Sequence, residues 1–183
     1  MGQSWSGVRR RLEQELLAES LRGRVRYFMT KYPAANDDEA RFSILIDNKE
    51  MFNSNVFTFW PMYIQSSEAA KKELNTPERQ WNGKHMEFDS ENKEVEQTVE
   101  DELLYKGIFP VYAFTNALRE YFNQGIEKSI CSENPLIRIL AVLDRRVGKR
   151  TIERVSKNFS AELEWVQPFY KLRLEAENVE YEK

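Results

Sequence analysis

The sequence predicts an α+β fold, with an N-terminal helix, a small antiparallel sheet of two or three strands and a helical C-terminal half. Strand-forming residues are concentrated between positions 24 and 52. Helical apolar spacing occurs before that region and recurs after it, so strands and helices do not alternate as they do in a doubly wound sheet. With 183 residues and 41% hydrophobic content, the chain is long enough to bury a core as one domain, 1–183.

The first helix is predicted over residues 6–21. Val8, Leu12 and Leu16 recur at i, i+4 and i+8, which places them on one helical face. Gly23 follows as a stop signal.

The sheet is predicted from residues 24–32 and 40–46, which are rich in β-branched and aromatic side chains. The loop between them, 33–39, is short enough for an antiparallel hairpin. Residues 47–48 (Asp-Asn) are turn-like, and 49–52 are predicted as a third short strand.

The segment 56–74 is ambiguous. Its second part, 66–74, has a helical composition, but Pro61 disfavours a continuous helix through the first part. Residues 75–83 are predicted to form a loop anchored by Trp81.

The rest of the chain is predicted to be helical. Helices are expected over 90–106, 111–123 and 126–131, and then from Asn134, from Thr151 and from Pro168 onward. Asn134 followed by Pro135 is a strong helix start, because Asn caps the helix and Pro fits its first position. Gly148 is expected to be the left-handed residue that ends this helix.

The net charge of −3 conceals a pattern along the chain. Residues 1–31 carry a net +4 and residues 134–157 a net +5, whereas 32–133 carry −9 and 158–183 carry −3. Either the two basic zones pair with the acidic middle in the fold, or they form an exposed patch for an anionic partner.

The residue types that catalysis and metal binding require are scarce. His85 is the single histidine and Cys131 the single cysteine, so an internal disulfide is excluded and a normal four-ligand zinc site is not expected. Cys131 is expected to be a half-buried apolar residue. No phosphate-binding loop or dinucleotide-binding glycine motif occurs. Glu96, Glu100 and Asp101 on the acidic helix are better explained as a solvated face than as a cation site. We therefore predict no catalytic, cofactor or metal site, and an enzyme using His85 with carboxylates remains an alternative.

The most distinctive stretch is a basic helix, glycine turn and second helix over residues 134–157. Two helices joined by such a turn are typical of DNA readers, and arginine and lysine contact phosphates. The acidic balance of the chain, with a pI near 5.5, argues against a dedicated nucleic-acid domain. The candidate residues for an anionic partner are Arg145, Arg146, Lys149, Arg150 and Arg154, with the cluster Arg9–Arg11 as an extension. Of the first four, we expect one or two to be tied to Asp144 or to acidic helices and the rest to face solvent.

These observations favour a non-enzymatic protein-binding domain over a nucleic-acid-binding protein. Trp60, Trp81 and Trp165 lie near predicted breaks, where exposed tryptophans could bind a partner and buried ones would fill the core. No stretch has the apolar length of a membrane span and no secretory signal is visible, so we expect a cytoplasmic protein with no membrane contact. A protein partner is expected, and a homo-oligomer stays open.

The motif Asp144-Arg-Arg-Val-Gly-Lys-Arg-Thr151, together with Trp5-Ser6 and the Asn134-Pro135 helix start, resembles a group of small uncharacterised bacterial proteins of similar length. The resemblance covers most of the chain. It implies a bacterial origin and an intracellular setting, and it supplies no activity, cofactor or catalytic residue.

Overall fold

A computed structural model describes residues 4–31, 40–54, 56–78, 81–84, 90–157 and 159–180. It has an N-terminal helix, an antiparallel three-stranded sheet and a mostly helical C-terminal half, so the predicted α+β class is confirmed. The loop expected at 33–39 lies outside the described residues. Within the described ranges, no helix has the length and apolar character needed to cross a membrane.

The sheet has the order β1-β2-β3, with β1 at Val25–Lys31, β2 at Ala40–Ile46 and β3 at Lys49–Ser54. Both neighbouring pairs are antiparallel. Asp47 and Asn48 connect β2 to β3 with φ angles of 50° and 65°. Asp and Asn tolerate this left-handed conformation better than most residues do, which suits them to a tight hairpin turn. The predicted hairpin, turn and third strand are therefore confirmed.

The N-terminal helix differs from its predicted course. The α-helix α1 spans Trp5–Arg10, a π-helical segment continues it over Arg11–Leu16, and a 3₁₀ turn follows at Glu19–Leu21. The prediction of a continuous helix to residue 21 is thus wrong for the residues after Leu16. The reason is a competing long-range contact, because the main-chain N–H of Ala18 donates to the carbonyl of Leu143 at 2.9 Å.

The ambiguous segment is helical throughout. Helix α2 spans Val56–Glu73 with Pro61 inside it, and α3 spans Ser90–Tyr105. A proline at this position removes one main-chain hydrogen bond. The burial of Phe59 and of Val99 in one hydrophobic cluster offsets that loss, and local sequence rules do not see this contact between helices.

The C-terminal half consists of helices joined by short turns. These are α4 at Val111–Asn123, α5 at Ile126–Ile130, α6 at Pro135–Val142, α7 at Lys149–Ser156 and α8 at Gln167–Ala176, with a 3₁₀ turn at Phe159–Ala161 before α8. The side chain of Asn134 accepts a hydrogen bond from the N–H of Leu136 at 2.9 Å, as expected of a helix cap. Helix α8 ends at Ala176, and Asn178, with a φ of 52°, is the left-handed residue after its C-cap, Glu177.

The main hydrophobic core lies between the sheet and helices α4, α6 and α8. Phe42 of β2 stacks on Phe114 of α4, with ring centroids 3.5 Å apart. Helix α6 is buried almost all around, and its one charged side chain, Arg138, forms a 2.6 Å ion pair with Glu162. Helix α6 is therefore firmly held in the core, and this fixes the start of the turn that follows it.

Helices α2 and α3 have a smaller hydrophobic cluster of their own. Its buried members are Phe59, Val99 and Leu103. The cluster uses only one side of α2. The opposite side of that helix is left to solvent.

Candidate functional site

The turn between α6 and α7 is built around a buried carboxylate. Asp144 is 1% exposed and accepts hydrogen bonds from Arg146 through the main-chain N–H at 2.7 Å and the guanidinium Nη2 at 2.7 Å. The hydroxyl of Tyr121 donates to the same carboxylate. Buried carboxylates are stable only when paired in this way. Arg146 is therefore a structural residue of the turn.

The surroundings of Arg146, Tyr121 and Tyr27 shift the pKa values of these three side chains. The hydrogen bond to Asp144 raises the pKa of Arg146 above its usual value. Burial, reinforced by the negative charge of Asp144, raises the pKa of Tyr121. The same two causes, in the same order, raise the pKa of Tyr27 on β1. Arg146 thus stays charged and both phenols stay protonated at neutral pH.

Main-chain contacts tie this turn to the N-terminal segment. Leu17 and Asp144 form an isolated antiparallel bridge. The N–H of Arg145 donates to the carbonyl of Leu16 at 2.7 Å. On the other side, the buried Arg173 of α8 donates from Nη2 to the carbonyl of Val147 at 3.0 Å, and burial lowers the pKa of this arginine. The backbone from which the basic side chains project is therefore fixed at several points.

Gly148 does not have the predicted role. Its φ of −75° and ψ of 166° are extended, and it is the N-cap of α7 rather than a left-handed residue after α6. Helix α6 ends at Val142, because the bonds around Asp144 already turn the chain. Lys149 and Arg150 consequently lie in the first turn of α7. Cations are disfavoured there by the helix dipole, so their position does not stabilise the helix.

The candidate cations divide into two kinds. Arg146 is held by Asp144, whereas Arg145, Lys149 and Arg150 are exposed and form no ion pair within the described ranges. Arg154 is also exposed and lies 3.5 Å from the exposed Glu127. Of the first four candidates, one is tied to Asp144 and three face solvent, as the sequence led us to expect.

The arginines proposed as an extension of this surface have local partners. Arg9 forms a 2.9 Å ion pair with Glu13, and Arg10 lies 3.9 Å from Glu15. The guanidinium of Arg11 lies over the ring of Phe122, 4.0 Å from its centroid. These contacts reduce the charge that the cluster could offer to a ligand.

Within the described ranges, the residues considered for catalysis and metal binding do not form a site. His85 lies outside the described residues. Cys131 is exposed, so the half-buried position expected for it is wrong. Tyr112 donates to Glu100 at 2.9 Å and Gln97 to Asp101 at 3.0 Å. The described ranges contain no group of three or more His, Cys, Asp or Glu side chains that could hold a metal ion.

The three tryptophans have different environments. Trp60 is 42% exposed, and Trp81 is 63% exposed, so Trp81 does not anchor its loop as predicted. Trp165 packs edge-on against Phe52 and donates from Nε1 to the carbonyl of Tyr105 at 3.1 Å. Trp60 and Trp81 are therefore the more exposed of the three.

The second surface was not identified from the sequence. Phe57, Trp60, Pro61 and Ile64 are exposed and spaced i, i+3, i+4 and i+7, so they form one apolar line along α2, here named the α2 stripe. Phe57 is 78% exposed and Ile64 52%. Residues 56–65 are apolar on nearly every side of the helix, so periodicity alone could not show which side would remain uncovered.

A cavity of about 370 Å³ lies between α2 and α3. Its apolar lining includes Ala70 and Val95, and the carboxylates of Glu94 and Glu102 stand at its edge. The negative charge of α3 is thus present at this groove as well as on the exposed side of the helix.

Comparisons with known proteins give one match. No curated protein and no solved structure is similar to the chain. The model of the SF0329 protein family matches residues 4–174, a range that includes the α2 stripe and the turn around Asp144. The chain therefore belongs to the SF0329 protein family.

Proposed function

We propose that this chain is a non-enzymatic protein-binding domain that docks a partner on the α2 stripe. The observation that carries the proposal is the line of Phe57, Trp60, Pro61 and Ile64, exposed on a helix whose opposite side is packed. Contiguous exposed apolar surface is uncommon on soluble domains and often marks an interaction site. Aromatic side chains are also enriched at the energetic centres of interfaces.

The size of the stripe sets the expected strength of binding. Taking about 200 Å² for each large side chain, the stripe presents roughly 350 Å² of apolar surface. Its burial contributes about 9 kcal/mol, against an association cost of about 4–15 kcal/mol. The partner must therefore add contacts of its own, and we expect a reversible complex with a roughly micromolar Kd.

The test is a matched pair of alanine variants. A partner is first captured from a lysate, identified, purified and titrated against the parent chain by calorimetry. Phe57→Ala should then weaken binding at least about tenfold, because it removes the most exposed aromatic ring of the stripe. Phe28→Ala, which removes a ring 47% exposed on the sheet, should leave the affinity within about twofold. Equal effects of the two variants would contradict the proposal.

A second candidate function is nucleic-acid binding at the turn after α6. It is favoured by Arg145, Lys149 and Arg150, which are exposed and have no ion pair in the part of the chain that the structure describes. The placement of Lys149 and Arg150 at the start of α7 is unfavourable for the helix, which leaves ligand binding as a reason for it. Duplex DNA titrated at low salt should bind, and each of these three cations should contribute to the salt dependence. Binding that survives their joint replacement by glutamine would contradict this assignment.

The proposed setting is the bacterial cytoplasm. Two sequence features support it: the resemblance carried by the Asp144–Thr151 motif, and a single cysteine, which suits a reducing compartment.

A further inference from the structure

Resting on the proposed function, we infer that the occupant of the α2 stripe is a basic amphipathic helix of another protein. Such a helix would place apolar side chains at i, i+3 or i+4, and i+7 on the stripe and direct lysine or arginine side chains toward α3. An exposed helix face with this spacing suits helix-against-helix recognition. The negative charge around the stripe favours a partner with positive charge.

The stripe itself carries no charge that would oppose any partner. Residues 56–67 contain no Asp, Glu, Lys or Arg. The first cation beyond it on the same helical line is Lys71, one heptad after Ile64, and this lysine is bound to Glu96 of α3 at 2.8 Å. That contact places the acidic helix along one border of the stripe.

A second set of contacts brings α3 close to the N-terminal part of α2. Tyr112 donates to Glu100 at 2.9 Å, and its ring lies edge-on to Phe59, with centroids 6.5 Å apart. Phe59 in turn contacts the ring of Trp60 at 5.2 Å. The carboxylate of Glu100 is therefore connected to Trp60 of the stripe through the rings of Tyr112 and Phe59.

The charge of α3 is large, and part of it has no ion-pair partner in the described structure. Residues 90–105 contain six acidic groups and one lysine. Glu94, Asp101 and Glu102 are exposed and form no ion pair within the described ranges. A negative field of this kind attracts a cationic partner and speeds its association.

The same charge disfavours the other occupants. Nucleic acid and anionic bilayers are repelled by α3. A second copy of the chain would bring its own acidic helix toward the first across a twofold axis, since such an interface uses the same surface on both copies. Like charges facing each other lower the affinity, whereas lysine or arginine on a partner helix would be attracted to the exposed carboxylates of Glu94, Asp101 and Glu102.

The experiment uses the full chain and two synthetic helical peptides of about 16 residues. Both peptides carry leucines at the same i, i+3, i+4 and i+7 positions, and their flanking positions are lysine in one and glutamate in the other. Fluorescence anisotropy should show the lysine peptide binding at least about tenfold more tightly than the glutamate peptide. The difference should shrink as salt rises from about 0.05 M to about 0.5 M, because exposed charges become screened.

Matched charge variants locate the effect. The triple variant Glu94→Gln, Glu100→Gln and Asp101→Asn should weaken lysine-peptide binding about tenfold, and its amides keep acceptors for the hydrogen bonds to Glu100 and Asp101. The control triple Glu120→Gln, Glu133→Gln and Glu164→Gln removes the same charge from exposed positions outside α2 and α3. It should leave the affinity within about twofold.

The outcomes separate the two proposals. If both peptides bind equally and Phe57→Ala abolishes binding, the stripe is a docking site and the inferred basic partner is wrong. If neither peptide binds, or binding survives Phe57→Ala, the proposed function itself fails. If sedimentation shows a dimer that Phe57→Ala dissociates, the occupant is a second copy and the inference is overturned.

Discussion

Replacing Arg146 by alanine should cost stability, whereas replacing its basic neighbours should not. The variant Arg146→Ala leaves the carboxylate of Asp144, whose side chain is 0% exposed, with the Tyr121 hydroxyl and one main-chain N–H as its remaining donors. Removing one member of a buried ion pair costs about 3–5 kcal/mol. Because the Arg146 side chain is itself 42% exposed, we discount that to roughly 2–3 kcal/mol.

The neighbouring cations provide the comparison. Lys149→Ala and Arg150→Ala remove exposed side chains without an ion pair in the described structure, so each should change stability by less than about 0.5 kcal/mol. Urea unfolding followed by circular dichroism measures all three variants, and equal m-values make the midpoints comparable. A loss from Lys149→Ala as large as that from Arg146→Ala would refute the division of this turn into structural and free cations.

Two further predictions concern glycines and tyrosines. Gly107→Ala should destabilise the chain by about 2–4 kcal/mol, because Gly107 has a φ of 78° and an added Cβ would lie 2.9 Å from Cγ of Trp165. Gly148→Ser should change stability by less than about 0.5 kcal/mol, because the φ of Gly148 is −75° and no neighbouring atom lies within 4 Å of an added Cβ. Similar urea midpoints for Gly107→Ala and Gly148→Ser would contradict these assignments. Burial first, and then neighbouring charges, raise the pKa of Tyr27, Tyr121 and Tyr170. Because a raised folded-state pKa stabilises the fold below the unfolded value of about 10, stability should fall as the pH rises above about 10. Tyrosinate absorbance for these residues should then appear together with the loss of circular dichroism, and their ionisation in the folded chain would contradict the prediction.

The features that the sequence predicts well are those with local causes. The Asn134 cap and the strand at Ala40–Ile46 depend on neighbours in the chain, and the structure confirms them. The features it misses depend on distant residues. The π-helical segment ends where Ala18 pairs with Leu143, a partner far along the chain that periodicity cannot show.

The same distinction explains the candidate surfaces. The cations of the turn after α6 could be named from composition and the tie between Arg146 and Asp144 from their proximity in sequence. The role of Gly148 could not be predicted, because a glycine between two helices can either end the first or begin the second. The hydrogen bonds of Asp144 decide between these roles, and they are known only from the structure. The α2 stripe escaped prediction for a different reason: an apolar segment interrupted by Pro61 gives no signal for which side of a helix is covered.

A single domain over 1–183 stays a prediction.

The charge zones of the chain link these surfaces to the inferred partner. If the basic zones neutralised the acidic middle within the fold, α3 would offer little attraction to a partner. Between described residues, the ion pairs that join a basic zone to the acidic middle are Arg24–Asp47 at 2.7 Å and Arg154–Glu127 at 3.5 Å, and all four side chains are exposed. Neither pair involves α3. Exposed pairs of this kind contribute little, so the acidic helix keeps its field beside an uncharged apolar stripe, and a ligand that is both basic and apolar fits that combination best.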